Sequence, residues 1–248
     1  MSLRSSHFAH AIGAMAHEQI RDRDYRGVHV DSAVAGLEFV GCVVRGCSLG
    51  AGVRRVDQRF TLADTIVRDC RVVSAVIGPI VLDGIHVDGL RTDTHLRFPA
   101  CAFRHCVLRG SIGKIVVYET ALLTEPLVSS TNRAFVEANK AFYAAGNWAL
   151  DISGAAFEEL DIRGVPAELI KIDPQRQIRV SYARTRAAFD EGHLNGVISG
   201  YAHSLVGASL KHRHESQADF VLATNDAHPH SDEMHALFAV LGAGGMVV

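Results

Sequence analysis

The cysteines set a spacing that leaves this chain few ways to fold. Cys42 and Cys47 are five residues apart, as are Cys101 and Cys106, and Cys70 lies five residues after Thr65. Written in fives from Gly27, the chain reads GVHVD, SAVAG, LEFVG, CVVRG, CSLGA. From Phe60 it runs on as FTLAD, TIVRD, CRVVS, AVIGP, IVLDG, IHVDG, LRTDT, HLRFP. After a one-residue slip it continues as CAFRH, CVLRG, SIGKI, and it returns later as LDISG, AAFEE, LDIRG, VPAEL, IKIDP. The third residue of each unit is nearly always apolar: Val34, Phe39, Val44, Leu49, Leu62, Val67, Val72, Ile77, Leu82, Val87, Phe103, Leu108, Ile152, Phe157, Ile162 and Ile172. All five cysteines occupy the first slot.

A period of five matches neither a helix of 3.6 residues per turn nor a two-residue strand alternation. Slots one and three of a short extended segment nevertheless share a face, because side chains two apart point the same way. The last two residues must then turn a corner, where Gly and Asp are favoured. A chain that repeats this winds into a coil with an apolar lumen and hydrogen bonds between successive passes.

These units resemble the pentapeptide-repeat family, in which a hydrophobic residue centres each unit and a small residue precedes it by two. The resemblance covers about 21 units in four blocks. It implies a mainly β fold, a right-handed quadrilateral β-helix with four units per coil and about five coils. The lumen residues it implies are Cys42, Cys47, Cys70, Cys101 and Cys106 in slot one. In slot three they are Phe39, Val44, Leu62, Val67, Val72, Ile77, Leu82, Val87, Phe103, Leu108, Ile152, Phe157 and Ile162. Leu37, Ile80, Ile85, Leu90, Leu150 and Leu160 are large for slot one, and overpacking costs about 1–3 kcal/mol unless the backbone adjusts. His95 and Arg97 fall in inward slots, so the coil before Pro99 is expected to open or bulge. Residues 51–59 break the register and read as an irregular corner.

Three segments lie outside the repeat. Residues 1–26 read as an N-terminal cap helix, with Phe8, Ile12, Met15 and Ile20 on one face and Ser5 or Ser6 as N-cap. The repeat then spans 27–174, interrupted at about 120–148 by a helical excursion with Phe135, Ala138, Phe142 and Ala145 on one face. This excursion reads equally as a functional projection or as a buttress on one side. Residues 175–248 read as a mostly helical C-terminal extension, with a helix from Pro174 and a last one opening at Ser231 as N-cap.

The repeat carries no nucleophile elbow, P-loop, Cys-x-x-Cys or HExxH motif, so no catalytic, cofactor or metal residue is assigned. Histidine is the conspicuous type, 14 in all, with seven at or after His193. His212-x-His214 and His228-x-His230 chelate a metal only from a loop or strand, since residues two apart diverge on a helix. Asp226, His228, His230 and Asp232 form one cluster to inspect. Tyr182, His193, Tyr201 and His203 are candidates to line a pocket.

Composition narrows the compartment and the partner. Hydrophobic residues make up 48% and charged residues 21%, which describes an ordinary globular chain. The opening stretch breaks its apolar run too often for a signal peptide, and no run of 18 apolar residues offers a membrane span. Sparse cysteines in core slots suit a reducing cytoplasm. The formal net charge of −2 argues against direct nucleic-acid binding. Residues 27–119 hold 11 Lys+Arg against 9 Asp+Glu, and 150–172 hold 2 against 5. The resistance-type members of the family carry an acidic surface and occupy the DNA saddle of type II topoisomerases, a balance this chain lacks. Three readings follow. The first is a non-enzymatic scaffold for a protein partner. The second is a DNA gyrase or topoisomerase binder giving antibiotic or toxin self-resistance, as a homodimer through the C-terminal helices. The third is an enzyme or small-molecule binder with a site between the β-helix and the His-rich C-terminal region.

Overall fold

The computed structural model describes residues 18–122, 124, 129–198, 200–225 and 227–248. The chain opens with β1 (Glu18–Arg21), β2 (Asp24–Arg26), β3 (His29–Val30), β4 (Val34–Ala35), β5 (Leu37–Val40) and β6 (Val43–Leu49). Next come β7 (Thr61–Ala63), β8 (Ile66–Ile77), β9 (Val81–Asp83), β10 (His86–Thr92), β11 (Leu96–Pro99), β12 (Ala102–Arg104) and β13 (Cys106–Tyr118). Helix α1 (Ser130–Ala144) separates these from β14 (Leu150–Ile162) and β15 (Ile170–Lys171). The remainder is β16 (Gln177–Val180), α2 (Tyr182–Asp190), α3 (Gly200–His212), β17 (Phe220–Ala223) and α4 (Ser231–Ala243). The protein is mainly β, with four helices among the described residues.

Every pairing among β1–β15 is parallel, and its register follows the five-residue period except for local shifts where β6 meets β8, β10 meets β13 and β13 meets β14. Through these, Ile112 and Ile115, rather than the first and third residues of SIGKI, meet Leu90 and Leu96. Val67 pairs with Val87, and Leu62 with Leu82, in each case twenty residues on. Twenty is four units, so each slot meets its own kind. The spacing grows to 28 where residues 51–59 intervene, as with Phe39 and Val67. It is 21 between Leu82 and Phe103, and 44 between Cys106 and Leu150, where α1 lies between. Strands β8, β10, β13 and β11 pair in a closed cycle of four.

The repeat slots become the core. Cys42, Cys70, Val72, Leu82, Cys101, Phe103, Cys106, Ile152, Phe157 and Ile162 are buried in one cluster, with Phe39, Val44, Leu62, Val67, Ile77, Val87 and Leu108 packed against it. Cys47 is half-buried. The large first-slot residues Leu37, Ile80, Ile85, Leu90 and Leu150 are buried without filling the interior, where an apolar space of about 260 Å³ remains. At the corners, Asp69 and Gly89 both have positive φ, 50° and 73°. A Cβ on Gly89 would lie 2.9 Å from Asp69 Oδ1, so the carboxylate of one pass occupies the space that glycine leaves in the next.

Several expectations are corrected. Residues 1–17, with Phe8, Ile12 and Met15, lie outside the described residues. Residues 18–26 form β1 and β2 rather than the end of a cap helix. Ile20, Tyr25 and Val30 pair with Phe39, Val44 and Leu49, so the period begins before Gly27 and slips by one between Val30 and Val34. Backbone pairing with β5 and β6 outweighs the local helical spacing. His95 and Arg97 do not face inward, because the slip falls before Leu96 rather than after Pro99. Leu96 is buried, Phe98 is half-buried and packs on Phe103, and Arg97 is exposed. The helix expected from Pro174 begins only at Tyr182. Its first part is β16, paired antiparallel with β17 and anchored by buried Gln177, whose amide donates to the Ile152 and Ala155 carbonyls at 2.9 and 3.2 Å. In α4, Ser231 is the first helical residue and His230 the cap, with Asp232 and Glu233 in the first turn.

Helix α1 lies against the strands as a buttress. Phe135 is fully buried beside Val53 and Ala100. The Tyr143 hydroxyl accepts from Phe103 N at 3.1 Å, and the Asn139 side chain accepts from Arg59 at 2.8 Å. These contacts cover β12, the last strand of the small β4–β7–β9–β12 sheet. The C-terminal helices spend their apolar faces on a second core built from Val180, Tyr182, Leu194, Val206, Leu210, Phe220, Leu237 and Leu241.

Burial pushes the Cys101 and Cys106 thiols up to about 12 and Cys70 to about 11. An aromatic disulfide reagent at pH 8 is therefore expected to titrate Cys47 in the native protein and all five thiols only in denaturant; rapid native reaction of Cys101 or Cys106 would contradict this core. Gly89→Ala is expected to lower stability by about 1–2 kcal/mol in chemical denaturation, because it forces a left-handed alanine against Asp69.

Candidate functional site

A cleft of about 440 Å³ lies where the ends of β13 and β14 meet α2 and α3. Tyr118, Glu119 and Thr120 leave β13 and Arg163 leaves β14, while Arg186 comes from α2 and Lys211 and His212 from the end of α3. His214 and Glu215 follow directly. The two strand ends are held in register, since Arg163 N donates to the Val117 carbonyl at 3.1 Å. Gly164 has φ 72°, and a Cβ on it would lie 2.7 Å from Glu119 Cβ. A side chain at this position would displace Glu119 from the wall.

Behind the wall sits an ionic network. The Arg213 side chain is 3% exposed. It donates to Asp161 Oδ1 at 2.8 Å, to the Ile162 carbonyl at 2.7 Å and to the Ser209 carbonyl at 3.2 Å. Its guanidinium lies over the Phe220 ring at 4.8 Å. Asp161 also pairs with Arg163, whose guanidinium sits 5.2 Å over the Tyr118 ring. Arg163 Nη2 donates to His212 Nδ1 at 2.8 Å. An imidazole that accepts on Nδ1 is neutral and carries its proton on Nε2.

The network moves its titratable groups in opposite directions. Burial works to raise the Asp161 carboxyl, but Arg213 and Arg163 outweigh it and hold it below the usual range. Burial pushes the Glu119 carboxyl up, opposed by a Ser216 hydrogen bond and by Arg213 and Arg163. Burial, followed by the Arg163 charge, lowers His212. Perturbed groups gathered in a concave site are a recognised mark of function.

None of the sequence candidates for a pocket lines this cleft. Tyr182 is buried in the second core, with its backbone N–H bonded to Asp219 at 2.8 Å. His193 is exposed and lies 3.4 Å from Glu191. His203 stacks on Phe189 with ring centroids 5.0 Å apart. Asp226 lies outside the described residues. His230 stacks on Tyr201 at 4.5 Å, with His228 5.2 Å from the same ring, and pairs with Glu233 at 2.9 Å. Asp232 is exposed. Among the described residues, no three His, Cys, Asp or Glu side chains gather as a metal set. No helix among them is long and apolar enough to cross a membrane.

The sequence singles out His212 and His214 for their spacing, but not the partners that give them a setting. Arg163 and Asp161 stand at the end of a repeat block, and nothing in the period links them to the KHRH stretch at the end of α3. The fold and cleft thus define a mainly β protein of parallel strands with a helix-rich C-terminal portion closed against their ends. No family model matches the chain, and comparison with curated proteins and with solved structures returns no match.

Arg213→Leu is expected to cost about 3–5 kcal/mol, because it removes one partner from a buried charge pair. Arg213→Lys keeps the charge without the forked geometry and loses less. Denaturant midpoints check both; a loss below about 1 kcal/mol for the leucine variant would show that the pair does not hold the junction.

Proposed function

We propose that the parallel strands form a right-handed quadrilateral β-helix of the pentapeptide-repeat type. The reading is supported by the twenty-residue register, four units of five, and by burial of the first and third slots. Right-handed connection is the general rule for parallel crossovers.

The protein is a non-enzymatic binding protein in which this rigid support positions a junction cleft for a small polar ligand. One observation carries the reading: a cleft of about 440 Å³, walled by both parts of the chain, stands over an ionic network that fixes its side chains. That volume falls in the range of small-molecule sites. The outward strand faces give less support to charge mimicry of DNA by a topoisomerase binder. Their acids are matched to bases in neighbouring passes: Glu38 with Arg68 at 3.0 Å, Asp93 with Arg71 at 2.7 Å, Asp151 with Arg109 at 2.9 Å.

The test is to purify the chain under native conditions, release bound small molecules by denaturation and identify them by mass spectrometry. Thr120→Trp, which fills the cleft from a half-buried position, is the control. A compound retained by the wild type and absent from the variant is expected; identical profiles would overturn the reading.

A further inference from the structure

The cleft is richer in hydrogen-bond donors than in acceptors. Arg163, Arg186, Lys211, His212 and His214 face two acids, Glu119 and Glu215. Their commitments differ. Arg163 gives part of its donor set to Asp161 and His212, and Arg186 binds Asp190 at 2.6 Å. His212 accepts from Arg163 on Nδ1, so its free function is an Nε2–H donor. Among the described residues, no ion pair or side-chain hydrogen bond engages Lys211 or His214, and both stand exposed at the cleft.

The acids are weaker competitors for these donors. Burial favours the neutral form of Glu119. Glu215 is exposed at the rim, where solvent screens its charge. Arg213, buried behind the wall, neutralises Asp161 and so leaves the Arg163 charge less fully offset beside the cleft.

We propose that this cleft binds a phosphate monoester of a small metabolite, with Lys211, His214 and the Nε2–H of His212 donating to the phosphate. The proposal rests on the reading that the cleft takes a small ligand. A phosphate offers several acceptor oxygens to point-charge and forked donors alike. The remaining volume accommodates one sugar ring beside it, within the usual size of such sites. A divalent cation is a poorer occupant, because bases outnumber acids and the acids do not gather. A neutral sugar would leave Lys211 without a charged partner.

Calorimetric titration of the full chain separates these outcomes, with ribose 5-phosphate, inorganic phosphate, ribose and malate as probes. Ribose 5-phosphate is expected to bind, more tightly than inorganic phosphate, with an affinity that falls as salt rises; ribose alone is not expected to bind. The Lys211→Glu/His214→Glu variant alters exposed positions, so its unfolding midpoint should stay near the wild type. Its affinity should fall by far more than about tenfold, because two donor contacts are lost and two negative charges are placed beside the phosphate. Equal affinity in the variant, or equal binding of ribose, would overturn the proposal. Malate or ribose binding that Thr120→Trp abolishes would reject phosphate while keeping the cleft as a ligand site. No binding of any probe would reject the phosphate proposal, and with identical retained-metabolite profiles it would reject the cleft reading too. Inorganic phosphate binding more tightly than ribose 5-phosphate would overturn the assignment of a monoester.

Discussion

Backbone hydrogen bonding between strands twenty residues apart is the constraint on which the rest of this structure depends. A parallel strand satisfies its N–H and C=O groups on both neighbours, so each pass fixes the register of the next. Once Val67 lies beside Val87, the side chains two residues earlier, Thr65 and Ile85, also face inward, and the five-residue period becomes a core. Irregular insertions are tolerated only where the register recovers afterwards. That is the case after residues 51–59, where Val67 meets Phe39, and after α1, where Leu150 meets its slot partner Cys106.

The same constraint explains where local signals lose. Ile20 sits on a helical spacing in sequence, yet it pairs as a strand because β5 offers four residues of backbone partners. Gln177 stands in a stretch with helical features, yet its amide finds two carbonyls of β14. In both places a non-local hydrogen bond decides what a nearly neutral local preference leaves open. The slip before Leu96 has a related origin. Moving it ahead of His95 and Arg97 buries Leu96 and packs Phe98 inward, and it avoids enclosing a guanidinium.

At the junction the balance is electrostatic. Asp161 and Arg213 come from segments 52 residues apart; the arginine is buried and the aspartate half-buried, which is tolerable because each has further partners. Their pairing sets Arg163, Arg163 sets the His212 tautomer, and the cleft inherits a fixed pattern of donors. The chain of dependence runs from strand ends to salt bridge to imidazole.

Most of the core was legible in the sequence, because an inward slot every five residues is a local pattern that burial enforces repeatedly. The cysteines, Leu82, Phe103, Ile152 and Phe157 could be placed in that core from spacing alone. The cleft could not be read in this way. Glu119, Arg163, Arg186 and Arg213 belong to no shared motif, and the histidines beside them signalled only a residue type. Bringing them together required the ends of β13 and β14 to meet α2 and α3. Such a meeting depends on packing between distant segments, which no periodicity records.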